Sequence, residues 1–198
     1  MAKNPETEET EISWKKSLVL YLHDWIYMLA VIIILLLLFF RVVVVSGPSM
    51  YSTLWDGDWL LLVSNMFYQE PEIGDIIVAC QDTYNDGEAI VKRVIAKEGQ
   101  QVDIDFAEGI VYVDGVALEE DYIYTPTNMA EGMIFPLEVD EGCIFVLGDN
   151  RNKSKDSRSM EIGLIDKREV LGKAVFLMFP GKDEFTEERL FSRIGVLN

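Results

Sequence analysis

Ile26-Tyr-Met-Leu-Ala-Val-Ile-Ile-Ile-Leu-Leu-Leu-Leu-Phe-Phe40 contains no charge and no helix breaker, and the chain then reads Arg41-Val-Val-Val-Val-Ser-Gly-Pro-Ser49-Met-Tyr-Ser-Thr-Leu54. Extended back to Leu18, the apolar run is interrupted only by His23 and Asp24. A helix rises about 1.5 Å per residue, and roughly 20 residues cross a ~30 Å hydrocarbon core, so residues 18–41 are expected to form a transmembrane anchor. Gly47-Pro48 cannot continue a helix, so the backbone must change course just before Ser49. Ser49 is therefore expected at or near the membrane surface.

Around this stretch the chain divides into a polar tail (residues 1–17), the anchor, and a remainder (residues 42–198) of roughly 150 residues, enough for one compact domain with its own core. The formal charge of -17 argues against nucleic acid as a partner and against tight docking on anionic headgroups. Lys3, Lys15 and Lys16 precede the span, and after Arg41 no Lys or Arg occurs until Lys92. That asymmetry predicts a cytoplasmic N-terminus and an extracytoplasmic domain. A cleaved secretory leader shares the general shape, but the run is too long for a typical leader core and lacks a clear small-x-small cleavage site at its end.

Residues 1–11 are polar and acidic and are expected to be disordered. Ser13-Trp-Lys-Lys16 matches the S-x-x-K pattern of β-lactamase-like enzymes, but no Ser-Asp-Asn or Lys-Thr-Gly follows, and the match is set aside. Beyond Ser49 the sequence reads as strands and turns. Trp59–Val63, Asp75–Cys80, Ala89–Ala96, the alternating Val102/Ile104/Phe106, Gly142–Gly148 and Leu171–Phe179 are predicted strands. Asn85-Asp86-Gly87 reads as a turn, and Ile110–Val113, Asp114-Gly115 and Val116–Leu118 form a hairpin signal, because Asp-Gly suits a type I′ turn. Only Asp183–Phe191 has a helical pattern in this part of the chain. The domain is thus expected to be mainly β, as an antiparallel sheet.

The only histidine, His23, lies in or beside the anchor, so neither a Ser-His-Asp triad nor a His-rich metal site can be built in the outer domain. No metal or cofactor is expected. Cys80 and Cys143 each sit in an apolar strand-like run and read as buried thiols rather than as nucleophiles or ligands. If Ser49 is a nucleophile its base must be something else, and a desolvated lysine is the candidate. The first beyond the membrane is Lys92, in Ala89-Ile-Val-Lys-Arg-Val-Ile-Ala96. Turned inward, its pKa must fall from about 10.4 to roughly 7 or 8 for it to act near neutral pH. On their own, a serine in a loop and a lysine in a strand are ordinary features. A third segment joins them: Gly148-Asp-Asn-Arg-Asn-Lys-Ser-Lys-Asp-Ser-Arg158 follows a predicted strand and is dense in polar and charged side chains.

Together the segments resemble bacterial type I signal peptidases, membrane-anchored Ser/Lys endopeptidases that remove signal peptides from exported proteins. The resemblance runs in order through the tail, the anchor, Ser-Met-x-x-Thr-Leu at 49–54, Gly-Asp-Ile-Ile at 74–77, Lys92-Arg93 and Gly-Asp-Asn-Arg-x-x-Ser-x-Asp-Ser-Arg at 148–158. It implies that Ser49 is the nucleophile and Lys92 the general base. By position, Ser154 and Asp156 orient and hold the lysine, while Arg93, Asp149 and Arg158 brace the site through ion pairs. It also implies the family's antiparallel β-sheet domain, cleavage after a small-x-small motif, and signal peptides and the lipid bilayer as partners. Nothing demands more than a monomer.

Two departures from the family pattern stand out. Ser52 replaces the usual proline of the serine motif, for which a stability effect of about 0.4 to 1 kcal/mol and intact chemistry are expected. Gly47 stands where some members carry a serine that helps bind the oxyanion, so the hole is expected to rest on backbone N–H groups, chiefly that of Ser49. A non-catalytic, membrane-tethered β domain that binds extended peptides is the alternative from a different class. It would make the joint presence of Ser49, Lys92, Ser154 and Asp156 a coincidence.

Overall fold

The structure, a computed structural model, describes residues 5–81 and 87–197. It divides into two units, one ending at Phe39 and one beginning at Phe40. The first is a single helix, α1 (Pro5–Phe39). Proline suits a first helical position, since its missing N–H has no intrahelical partner there anyway. Residues 5–11 are therefore helical rather than disordered, and residues 1–4 lie outside the described residues. Lys16–Phe39, 24 residues, spans about 36 Å at the helical rise and is long and apolar enough to cross a bilayer.

The helix stops at Phe39 instead of continuing to Arg41 because the valines that follow are β-branched and find a partner strand. Among the described residues the second unit contains twelve strands: β1 (Phe40–Val44), β2 (Trp59–Ser64), β3 (Ile76–Cys80), β4 (Ala89–Lys97), β5 (Gln101–Asp105), β6 (Ile110–Val113), β7 (Val116–Ala117), β8 (Leu137–Glu138), β9 (Cys143–Leu147), β10 (Ile165–Asp166), β11 (Val170–Phe179) and β12 (Gly195–Val196). An eight-stranded sheet has the order β1-β2-β11-β3-β4-β9-β10, with β12 also on β11, and a four-stranded sheet has the order β7-β6-β5-β8. Every pairing is antiparallel. The mainly β, antiparallel expectation agrees with this architecture.

Strand β3 lies at the centre of the large sheet and is buried on both faces. By strand alternation Ile76 and Val78 join one core with Met50, Leu60 and Leu177, while Ile77 and Ala79 join another with Val94, Val146 and Ile165. A bulge in β4 between Val94 and Ala96 turns Ile95 and Ala96 into a third core shared with β5 and β6 of the small sheet. The β6–β7 turn has positive φ at Asp114 (53°) and Gly115 (78°), as a type I′ turn requires.

The predicted helix at Asp183–Phe191 does not form. Asp183 instead accepts hydrogen bonds from Phe185 N (2.9 Å) and Thr186 N (2.8 Å), and Glu187 takes a positive φ of 59°. The side chain thereby competes with helical bonding, as Asp does in turns. Asn85 and Asp86 of the expected turn lie outside the described residues. Strands β8, β10 and β12 are too short to leave a periodic signal in the sequence.

Candidate active site

The turn after β1 is tied at several points. Val45 N donates to Asp58 O (2.8 Å) and Gly57 N to Val45 O (2.9 Å). Gly47 holds a φ of +85°, the region in which glycine alone is comfortable, and its N–H donates to Asp56 Oδ1 at 2.7 Å. Met50 and Leu54 then plunge into the core beneath. Thr53 Oγ1 donates to Asp149 Oδ2 (2.6 Å), and Ser49 O and Pro48 O accept from Asn150 N and Asn150 Nδ2, each at 3.0 Å. The Ser49 loop is thus clamped by the core on one side and by the 148–158 segment on the other.

Lys92 lies in β4, opposite Ile77 of β3, and is only 4% exposed. Its Nζ sits 2.9 Å from Ser49 Oγ and 3.0 Å from Val91 O. Burial pulls its pKa down from 10.5 to about 8, against the opposing fields of Asp156, Glu131 and Asp149. An amine in hydrogen-bond reach of a serine hydroxyl, with a pKa near working pH, can take up that hydroxyl's proton. Ser49 is half-buried, and among the described residues its own backbone N–H donates to no other group.

The buried ions around the dyad are paired. Arg93 donates from Nε and Nη2 to both oxygens of Asp149 (2.9 and 2.8 Å) and from Nη1 to Gly74 O (2.8 Å). The Tyr122 ring lies 4.1 Å from its guanidinium carbon. Asp156 accepts from Arg158 Nε and Nη2, both at 2.8 Å, and from Gly148 N at 3.0 Å. Asp156 therefore reaches Lys92 through its field and not by contact. Ser154 is buried, but among the described residues it makes no hydrogen bond to Lys92; its hydroxyl is 3.5 Å from Lys155 O. It packs instead on Gly148, where a Cβ would collide with the Ser154 side chain and with the Ser49 carbonyl.

Gly47 does not offer its N–H to an oxyanion, since Asp56 holds it, and it acts by leaving open space where a Cβ would stand. Ser52 is exposed in the turn, and the Tyr51–Ser52 peptide is cis. Cys80 and Cys143 are free and half-buried, a looser placement than the expected burial. Among the described residues no cluster of His, Cys, Asp or Glu could hold a metal ion. Asn150, Arg151 and Glu131 are contributors that the sequence did not single out. Asn150 and Arg151 stand inside the quoted 148–158 motif, whereas nothing local marks Glu131.

A groove of about 410 Å³ leads to the dyad, walled by Val43 to Ser49 on one side and Glu88 to Lys92 on the other, with Val78 between them and Lys155 at the rim. Asp75–Ile77 do not reach the groove, and Tyr51 faces a separate cavity on the far side of Pro48.

This geometry has relatives. The family described as "Signal peptidase, peptidase S26" matches residues 18–179. A signal peptidase I of Bacillus licheniformis is 34% identical over 182 residues, 88% of this chain and 95% of that protein. Signal peptidase I T of Bacillus subtilis is 34% identical over 193 residues, covering 90% and 94%. A probable signal peptidase I-1 of Synechocystis is 37% identical over 143 residues, 69% of each chain. With its antiparallel β unit, its single apolar helix and a family match that covers most of its length, the chain belongs to the peptidase S26 family of signal peptidases, which are serine endopeptidases.

Proposed function

We propose that the chain is a membrane-anchored endopeptidase that removes signal peptides from exported preproteins, with Ser49 as nucleophile and Lys92 as general base. The observation that carries this is the 2.9 Å approach of a buried, pKa-lowered amine to a half-buried serine at the end of a groove. The hydrogen bond to Val91 O aims Lys92 Nζ. Neutral Lys92 takes the Ser49 Oγ proton as Oγ bonds to the scissile carbonyl carbon, and the Ser49 N–H faces the developing oxyanion. On collapse, the ammonium returns the proton to the departing amine, leaving an ester on Ser49. Lys92 then deprotonates a water that attacks this ester, releasing the signal peptide's carboxylate and regenerating the serine.

Strand β1 is an edge of the large sheet. An extended peptide can pair with such an edge while alternate side chains enter the groove, which suits a small-x-small motif before the cut. Membrane placement is supported by α1 and by an exposed apolar band on the β unit. Val44 and Phe179 both pair with Trp59, Phe191 packs edge-on to Phe179 at 5.7 Å, and all four are exposed. The N-terminus is assigned to the cytoplasm and the β unit to the outer side. An anchored enzyme and a substrate in one bilayer meet at raised effective concentration. The enzyme works as a monomer.

The test is cleavage of a signal-bearing preprotein by the detergent-solubilised chain, beside Ser49→Ala and Lys92→Ala. Both variants are expected to fold and to lose at least about 10³-fold in kcat/KM. A folded parent that never cuts would support the peptide-binding alternative, and a fully active Lys92→Ala would remove Lys92 from the mechanism.

A further inference from the structure

The two backbone carbonyls on either side of the Ser49 Cα are held by one residue. Asn150 N donates to Ser49 O and Asn150 Nδ2 to Pro48 O, each at 3.0 Å. Asn150 is only 2% exposed. It precedes the short 3-10 turn Arg151–Lys153, where an asparagine ordinarily caps with its side chain, yet its side chain makes no cap hydrogen bond. That side chain is committed to the Ser49 loop instead. Asn150 is in turn fixed from both sides: Lys153 N donates to Asn150 O at 3.0 Å, and Gly148 lies so close that a Cβ there would stand 2.5 Å from Ser49 O.

We propose that Asn150 is the positioning residue of the oxyanion hole, which aims the Ser49 N–H by holding Pro48 O. The inference rests on the assignment of Ser49 as the nucleophile. Its ground is the geometry of the peptide plane. In a trans peptide the C=O and the N–H lie on opposite edges of one rigid plane. The cis peptides among the described residues are Tyr51–Ser52 and Phe135–Pro136, so the Pro48–Ser49 bond is trans. A hydrogen bond that fixes the direction of Pro48 O therefore fixes the Ser49 N–H, which points away from Asn150. The second bond, to Ser49 O, fixes the next peptide plane and with it the backbone from which Oγ projects.

The aim of this N–H matters because its neighbour cannot replace it: Gly47 N–H is taken by Asp56 Oδ1 at 2.7 Å. A donor set in advance on the place where the oxyanion forms stabilises the transition state more than the substrate, and its strength falls steeply as the angle opens.

The experiment compares the parent chain in detergent with the isosteric Asn150→Asp, which sets a carboxylate oxygen against Pro48 O, and with Asn150→Ala; both keep the backbone bond to Ser49 O. Losing an oxyanion donor outright costs about 10²- to 10³-fold in kcat, so misaiming one is expected to lower kcat for preprotein cleavage by about tenfold. KM should stay within about twofold, since the N–H acts on charge that develops only in the transition state. The second readout is inhibition by a peptide aldehyde ending in a small-x-small sequence. Ser49 Oγ bonds to the aldehyde carbon, the hydroxyl proton passes to Lys92, and the former carbonyl oxygen takes the negative charge. Its inhibition constant is expected to rise by about the same tenfold factor. A merely structural Asn150 would reduce the number of active molecules, which lowers the apparent kcat and leaves that constant unchanged. This result overturns the proposal, as does a raised KM with kcat intact. If neither variant folds, Asn150 is a residue of folding and the proposal falls. With Ser49→Ala inactive, parental constants in both variants overturn the Asn150 role alone, whereas an active Ser49→Ala overturns the nucleophile assignment and this inference with it.

Discussion

Lys92 and Arg93 are neighbours on one strand, both almost fully buried, and the protein treats them in opposite ways. Arg93 lies in a pocket built for a cation: burial works against its charge, but the forked hydrogen bonds and field of Asp149 more than offset this and raise its pKa. Lys92 lies across the strand from it in a pocket with a serine hydroxyl and a carbonyl within reach and no touching carboxylate, so burial wins and its pKa falls to about 8. What separates a structural cation from a reactive amine is therefore the partner, since burial is common to both. Arginine cannot lose its proton in any useful range, which makes it the safer brace. Lysine can, which makes it the usable base.

The comparison can be broken most severely at Asp149. Replacing Asp149 by Asn leaves Arg93 buried without its counter-charge and weakens the clamp on Thr53. A loss of about 3 to 5 kcal/mol in stability is expected, measured by denaturant unfolding, with activity falling as the Ser49 loop loosens. An effect below about 1 kcal/mol would mean that Arg93 is held by Gly74 O and Tyr122 alone.

Lys92 should respond in the other direction. Its folded pKa lies below its unfolded one, so between about 8 and 10.5 the unfolded chain binds more protons and stability rises with pH. At pH 7 the buried amine costs about 3 kcal/mol, from 10.5 less 8 at 1.36 kcal/mol per unit. Lys92→Met is therefore expected to be inactive yet more stable than the parent at pH 7, by up to about 3 kcal/mol, with the advantage fading towards pH 10.5. Thermal unfolding at both pH values checks this, and a variant less stable at pH 7 contradicts a desolvated lysine. The smallest effect belongs to a surface pair. Lys97 and Glu72 meet at 2.9 Å with side chains 33% and 67% exposed, and Glu72→Gln should change stability by no more than about 0.5 kcal/mol.

Much of this was legible in the residues. Alternation at Val102/Ile104, the apolar runs of β2, β3, β4, β9 and β11, and the Asp114-Gly115 turn each carry a local signal that survives folding. The signal failed where local patterns compete with tertiary pairing. The valines after Phe39 look like the end of an anchor until β2 supplies a strand partner, and Asp183–Phe191 looks helical until Asp183 caps a turn with its own side chain. Within the candidate site, Ser49 and Lys92 are ordinary features taken alone, and they were readable because the 148–158 segment accompanies them in the order of the family they resemble.

The sequence by itself determined that an apolar helix precedes a β domain, that no histidine could serve there, and that a serine and a lysine were the available chemistry. These follow from composition, periodicity and the identities of single residues. Only the tertiary structure decided that the Lys92 amine meets the Ser49 hydroxyl at 2.9 Å, that Asp156 acts through its field and that Ser154 packs against Gly148. Those outcomes depend on strand register and on loops far apart in the chain meeting in a buried, poorly screened space, where a charge's effect is set by its neighbours and not by its own identity.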